Sequence, residues 1–288
     1  MRFYKILNNF KKYTIPRIFY LFKGKSFFFK IILLYRLVLL GAILILFKRK
    51  NFWFHGKFGQ KKFKVFLDTH KGSHGTRGYY LLRNKQEPIL EFGYKFINKN
   101  DTIIDAGANQ GIFSLSFKSQ ITNKGLIICI EPFDYATKKM KKNFKFNNFS
   151  NYLIYKKTLS NHNKKNKIYY SDHITDASIV NHKFKKTKIT ESITIDKIVA
   201  SNRLKKLNFI KLDIEGAELL AIKGGIKSIK KFKPIIYLEI NNSKSFNLII
   251  NLMKKIGYRS YIFDKKGTLI QIKKFQRDQK NILLKFII

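Results

Sequence analysis

A mostly parallel α/β sheet with helices on both faces is the fold that this sequence predicts, and three observations predict it. From residue 101 onward, short apolar runs bounded by Gly or Pro alternate with longer runs of helical periodicity; the first apolar run, "TIIDAG", ends in an acid and opens a glycine-rich turn; the next, "LIICIEP", ends in a second acid. Short unbroken apolar runs suit strands buried on both faces. Strands that alternate with helices pair in parallel, because each crossover helix lies on the sheet and carries the chain back to its starting edge. A chain of 288 residues fits one large α/β domain with an appendage and requires no second core.

Residues 1–60 differ in kind and read as a basic, apolar, amino-terminal helical extension. Apolar residues run nearly unbroken over 31–47, and a helix rising ~1.5 Å per residue there approaches the ~30 Å of a hydrocarbon core. Arg36 lies inside the run, where insertion into a bilayer costs about 2.5–3.5 kcal/mol. The flanks "KGK" and "KRK" suit an anionic leaflet. Two readings stand open: a membrane-attached helix, as a surface element or a single anchor over 31–47, and a helix docked on the domain. A cleaved signal peptide is disfavoured, since the apolar run starts late and lacks a small-residue cleavage site. Residues 61–100 read as a collar or lid, with "DTHKGSHGTRG" a loop and a short helix following around Pro88 to Phe96.

Residues 101–288 form the expected core domain. In order, "DTIIDAG" is a strand, "GIFSLSFKSQ" a helix, "GLIICIEP" a strand, "FDYATKKMKKNFKF" a helix and "NYLIYKKTLS" a strand. Residues 161–195 break this rhythm with short alternating runs such as "KIYYS" and "SITI", the pattern of a hairpin excursion. The α/β order then resumes with "LNFIKLD", "AELLAIKGGIKSIKKF", "KPIIYLEI", "KSFNLIINLMKKIG" and "YRSYIF", and "NILLKFI" closes the chain as a last strand.

The glycine-rich turn carries the first chemistry. Asp105 ends its strand and Gly107, Asn109 and Gly111 follow before the helix. Small residues there let the backbone approach a nucleotide-like ligand while the helix amino terminus faces it. Glu131, at the end of the next strand, lies where a carboxylate can accept both hydroxyls of a ribose. The spacing is acid-x-Gly-x-Asn-x-Gly rather than the G-x-G-x-x-G of nicotinamide enzymes, so it resembles the S-adenosylmethionine fingerprint. The resemblance becomes specific at "IKLDIEGAELLAIKGG". Together with "DAGANQGIFSL", "IEP", "TIDKI" and "IYLEI" it makes residues 87–241 similar to the FkbM methyltransferase family. That resemblance implies a Rossmann-like class I methyltransferase fold, S-adenosyl-L-methionine as cofactor, and O-methylation of a small molecule, sugar or glycan. It further implies that Asp105, Gly107, Asn109, Gly111 and Glu131 bind the cofactor, Asp105 near its methionine end.

Asp213, at the end of "NFIKLD", and Glu215, just beyond it, fall at the sheet edge where open α/β folds bind ligands. As catalytic candidates they serve as base and orienter, because a hydroxyl attacking an electrophilic methyl must lose its proton. Alignment alone can supply much of the acceleration, and a purely local role as cap or helix-dipole partner stays open for both. Glu218 and Glu239 are further candidates for the same pocket.

The formal net charge of +42 invites nucleic acid as a partner. The Lys residues, however, are scattered through Asn-, Ile- and Phe-rich runs and form no Arg-rich stripe. Amino-directed nucleic-acid methyltransferases resemble one another in an Asn/Asp-Pro-Pro-aromatic motif where this chain has "DIEGAE". RNA methylation and a non-catalytic, membrane-associated role are the alternatives. The single cysteine, Cys129, allows no intrachain disulfide and reads as a core filler. His70 and His74, or His173 and His182 beside Asp176, lack the spacing of a metal site, so no metal is expected. His70, Lys71 and Arg77 could hold an anion, with a solvated loop the default. A cytoplasmic location is expected because S-adenosylmethionine is made inside the cell.

Overall fold

The computed structural model describes residues 25–46, 52–67, 74–171, 177–180 and 184–287. At its centre is a sheet of eight strands. Five of them, β3 (Thr102–Ala106), β4 (Leu126–Ile130), β5 (Tyr152–Tyr155), β10 (Phe209–Leu212) and β11 (Ile235–Glu239), are parallel, in the spatial order β5-β4-β3-β10-β11. Strand order runs one way from β3 to β5 and the other way from β3 to β10 and β11, and the crevice outside the carboxyl ends of β3 and β10 is the place where such sheets bind ligands.

The strands are apolar throughout because both faces are covered. Ile103, Ile127 and Phe209 point into one core, whereas their neighbours Ile104, Ile128 and Ile210 point into the other. Helices α4 (Ile112–Gln120) and α5 (Asp134–Phe146) cover the first face; α6 (Ile195–Ser201), α7 (Glu218–Gly224), α8 (Ile226–Phe232) and α9 (Ser243–Lys254) belong to the second core. The last strand, β14 (Asn281–Phe286), does not sit at the edge. It runs antiparallel between β11 and β12 (Tyr258–Phe263), with β13 (Leu269–Ile272), a strand not expected from the sequence, outside β12. Buried Ile282, Leu283 and Leu284 explain the insertion: a strand apolar on both faces needs covering on both. The excursion over 161–195 is a second, four-stranded sheet in which β7 (Lys165–Tyr170) and β9 (Lys186–Ile193) pair antiparallel, flanked by β8 (Ala177–Ser178) and β6 (Thr158–Leu159).

The amino-proximal region departs from expectation. Phe52–Phe58, assigned to the helical extension, is strand β1, paired with β2 (Lys61–Leu67) in a hairpin. Part of the expected loop, His74–Leu82, is helix α2; the helix α3 (Pro88–Phe92) follows after a 3-10 turn. The hairpin is bolted to α5 through amides. Asn143 Oδ1 accepts the Phe66 N–H at 2.8 Å, and Asn147 Oδ1 accepts that of Lys64 at 2.6 Å. His70, Lys71, His173, Asp176 and His182 lie outside the described residues.

Helix α1 (Phe27–Leu46) docks on α2. Leu33 and Leu40 are buried, Phe29 and Leu37 partly so, and Arg36 Nη1 donates to the Leu81 carbonyl at 2.8 Å. The Arg36 side chain thus has a protein partner, and burial lowers its pKa from the ordinary arginine value. Among the described residues no helix is long and apolar enough to cross a membrane, so of the two readings of 31–47 the docked helix has support and the spanning anchor has none. Phe47 itself lies outside the described residues.

Candidate active site

The turn after β3 is shaped by its own backbone needs. Gly107, Asn109 and Gly111 have φ of 71°, 49° and 87°, the left-handed region in which glycine is unstrained and asparagine tolerated. A Cβ on Gly107 would fall 1.8 Å from the Asp213 carbonyl oxygen, so close contact between the β3 and β10 ends demands glycine there. A cavity of about 250 Å³ opens above this turn. Gly107, Asn109, Glu131, Asp213 and Glu215 line it, while Asp105 and Gly111 do not.

Glu131 fixes the rim. One carboxylate oxygen accepts the Asn109 N–H at 2.9 Å and the other the Phe133 N–H at 3.0 Å. Each oxygen keeps a lone pair for a ligand hydroxyl. Burial pushes its pKa up to about 7, against the pull of the Phe133 and Asn109 N–H groups.

Asp105 sits under the turn, fully buried, accepting from Ser114 Oγ and lying 3.4 Å from Lys211 Nζ. Burial raises its pKa, opposed by Lys211 and Ser114. Lys211 is itself 1% exposed. Burial works against its charge, but Asp213, Asp105 and Glu87 outweigh that and hold its pKa above the ordinary lysine value. Its ammonium lies 3.3 Å from Asp213 Oδ2 and 4.3 Å from the Phe113 ring centroid. Strand register explains the cluster: Lys211 is the neighbour of Asp105 on one side and of Tyr237 on the other, so all three side chains share one face of the sheet.

Beyond β10 the turn "DIEG" is strained at Glu215, φ 51°, and relaxed at Gly216, φ 100°. Glu218 Oε1 accepts the N–H groups of Ile214 and Gly216 at 3.1 and 3.2 Å. Burial pushes the Glu218 carboxyl up to about 7, and the group serves the turn rather than the cavity. Ala217 is the N-cap of α7, with no side-chain cap, so neither Asp213 nor Glu215 caps that helix. Glu239 also lines the cavity, and burial raises its pKa.

One wall comes from the collar. Gln86 and Glu87 line the cavity from the turn before α3. Glu87 occupies the N-cap position of α3 without capping it. Burial pushes its carboxyl up to about 8, with Asp213 adding to the shift and Lys211 opposing it. Among the described residues Gln86 Oε1 is buried without a hydrogen-bond partner, and the buried Tyr237 hydroxyl lies beside Glu87. Only the dipeptide Glu87-Pro88 hinted at this wall in the sequence, and it reads as an ordinary helix start. Among the described residues no group of His, Cys, Asp or Glu could hold a metal ion.

Comparison with known proteins adds the family. Residues 105–260 match the model of the methyltransferase FkbM domain. No curated protein sequence matches. Among solved structures, the methyltransferase FkbM from Methylobacillus flagellatus KT is 18% identical, with a TM-score of 0.45 over 72% of this chain and 52% of that one. The chain therefore spans about half the length of that protein. A Streptococcus mutans protein solved in complex with SAH is 9% identical, TM-score 0.43, over 70% of this chain and 98% of its own. The S-adenosylmethionine-dependent O-methyltransferase from Thermotoga maritima is 10% identical, TM-score 0.39, over 69% and 64%. The FkbM match covers more than half of the 288 residues and contains the glycine-rich turn, Glu131 and the strand-end acids; the chain belongs to the FkbM methyltransferase family and uses S-adenosyl-L-methionine.

Proposed function

We propose that the chain transfers the methyl group of S-adenosylmethionine to an oxygen of a small molecule, sugar or glycan, in the cavity above the β3 and β10 ends. One observation carries the acceptor class. A protein of net charge +42 lines this cavity with Glu87, Glu131, Asp213, Glu215 and Glu239 against Lys157, whose ammonium is paired with Glu191. Carboxyl oxygens accept hydrogen bonds from hydroxyls, and those acids that are ionised repel phosphate. A hydroxyl-bearing acceptor fits such walls, and a nucleic-acid strand does not.

The donor set suits the cofactor. Glu131 has lone pairs free for a ribose diol, and the turn of Gly107 and Asn109 leaves room for backbone approach; Asp105 supports that turn from beneath. When bound, the cofactor supplies an electrophilic methyl on a cationic sulfur. Asp213 and Glu215 bind and orient the acceptor oxygen. Incubation with methyl-labelled cofactor should put label into a carbohydrate or small-molecule fraction. A base-stable label means an ether and a base-labile one an ester, and label in RNA alone would refute the assignment.

Glu131→Ala should weaken binding of S-adenosylhomocysteine ~10- to 100-fold, the worth of hydrogen bonds to a charged acceptor. Calorimetry on the folded variant measures this, and unchanged affinity would remove Glu131 from the ribose site. In the wild-type chain the same affinity should rise as pH increases through about 7, because the ionised carboxylate is the better acceptor.

The exposed side of α1 supports a second element of the reading, attachment to an anionic lipid surface. Phe28, Ile31, Leu34, Tyr35 and Val38 are 78%, 50%, 55%, 66% and 64% exposed, more apolar surface than a single helix usually leaves to water. Lys25 and Lys30 lie beside them in a strongly basic chain. An apolar face with basic neighbours suits the headgroup region of an anionic bilayer. The full chain should co-sediment with phosphatidylglycerol vesicles, and Ile31→Glu with Val38→Glu should reduce this about tenfold or more. Dimerisation through the same face, without vesicle binding, would reassign the surface.

A further inference from the structure

We propose that Glu87 is the group that takes the proton of the acceptor hydroxyl, and that the positive sulfur of the bound methyl donor is what ionises it beforehand. The inference rests on the functional reading above and names the proton's destination. Notably, it places that destination in the collar and not on the strand-end acids.

The geometry is a surplus of acids around one cation. On the cavity side of the sheet, Glu87 from the collar, Asp213 after β10 and Glu239 at the end of β11 face the region of Lys211, with Asp105 behind it. Lys211 is already shared between Asp105, 3.4 Å away, and Asp213, 3.3 Å away. Lys280 is the cation near Glu239, and the buried hydroxyl of Tyr237 faces Glu87, where as a donor it favours the ionised carboxyl. Among the described residues Asp105 and Asp213 hold Lys211 at ion-pair distance, and Glu87 feels the same ammonium only from further away. Burial, with Asp213 adding to it, pushes the Glu87 pKa up to about 8, so the protonated carboxyl predominates at neutral pH.

A permanent cation entering this acid-lined end changes the balance. An opposite charge within ~4–6 Å favours the ionised carboxyl by about one to three pKa units, which brings Glu87 from about 8 to neutrality or below. The ionised carboxylate then accepts the proton. The acceptor's O–H bond breaks with its proton going to Glu87, an oxygen lone pair forms the new O–C bond, and the methyl–sulfur bond breaks with its electron pair left on sulfur. Charge balances: one cation and one carboxylate before, a neutral thioether and a neutral carboxyl after. Loss of the positive sulfur restores the affinity of Glu87 for a proton when it must hold one. Asp213 is instead held 3.3 Å from the Lys211 ammonium.

Proton linkage tests this without any acceptor. S-adenosylmethionine carries the positive sulfur and S-adenosylhomocysteine does not, so their binding is compared by titration calorimetry at pH 7.5 in phosphate and in Tris, buffers of different ionisation enthalpy. The donor should release about half to three-quarters of a proton more than the thioether product, the amount that a carboxyl of pKa about 8 loses at this pH when shifted down by about one to three units. Any exchange at Glu131 is common to both ligands and cancels in the difference. Glu87→Gln should abolish the difference while leaving affinity for S-adenosylhomocysteine within about threefold, which also reports that the variant is folded; Glu87→Asp should retain part of it. Equal proton release by the two ligands overturns the proposal alone, as does a difference that survives in Glu87→Gln and vanishes in Glu239→Gln. Absence of binding by either ligand overturns this proposal and the cofactor site together.

Discussion

Lys211→Met is expected to destabilise the folded chain by about 3–5 kcal/mol, the usual result of removing one partner from a buried ion pair. The methionine fills the volume, so the loss isolates charge. Asp105 is fully buried and its remaining polar contact is Ser114, so without the ammonium nothing offsets its burial. Its pKa then rises further, and a raised folded-state pKa contributes stability at low pH that is lost as pH increases through it. The destabilisation measured by urea unfolding should therefore be larger at pH 8 than at pH 5. Adding Asp105→Asn should recover part of it, because the two residues form one network. A cost under about 1 kcal/mol at pH 8 would show that Lys211 is not the counter-charge on which the cluster rests.

Asp213→Asn should lower turnover about 100-fold on the acceptor that the wild-type chain methylates, with cofactor affinity little changed. The asparagine keeps the shape and surrenders the charge, so the acceptor oxygen loses a strong hydrogen-bond partner and its alignment with the methyl; misplacement by about 1 Å costs on that order. Removal of a general base costs up to ~10,000-fold. A loss of that size in Asp213→Asn, with the calorimetric behaviour of Glu87→Gln equal to wild type, would move the proton to Asp213. Turnover near the wild-type rate would take Asp213 out of the chemistry altogether.

Much of the framework follows from local pattern. The alternation of "TIIDAG", "LIICIEP", "NFIKLD" and "IIYLEI" with helical runs reads as parallel strands, and parallel strands deliver their carboxyl ends to one edge. That reasoning brings Glu131 and Asp213 to one cavity; it asks for glycine at 107 so that a ligand can approach, whereas in the structure the Asp213 carbonyl is what leaves no room for a side chain there. It misplaces Asp105, whose position at a strand end suggests a ligand contact. Asp105 is still within β3 and its side chain lies beneath the turn. One residue along a strand changes which face a side chain occupies, and one residue is finer than a motif resolves.

The sequence by itself determined the α/β order, the family, the glycine turn and the acids at the strand ends, since each depends on periodicity or on spacing within a short segment. Only the tertiary structure decided the rest. Lys211 in "NFIKLD" resembles any alternating polar residue until the parallel register puts it opposite Asp105, over a hundred residues away in the chain. Glu87 resembles a helix start until the collar folds it over the β10 and β11 ends. The run over 31–47 is apolar enough for either of two solvents, and the contact of Leu33, Leu40 and Arg36 with the collar is what docks one side of it on protein. Burial and pairing of charge are properties of what surrounds a residue in space, and a linear pattern records only its neighbours along the chain.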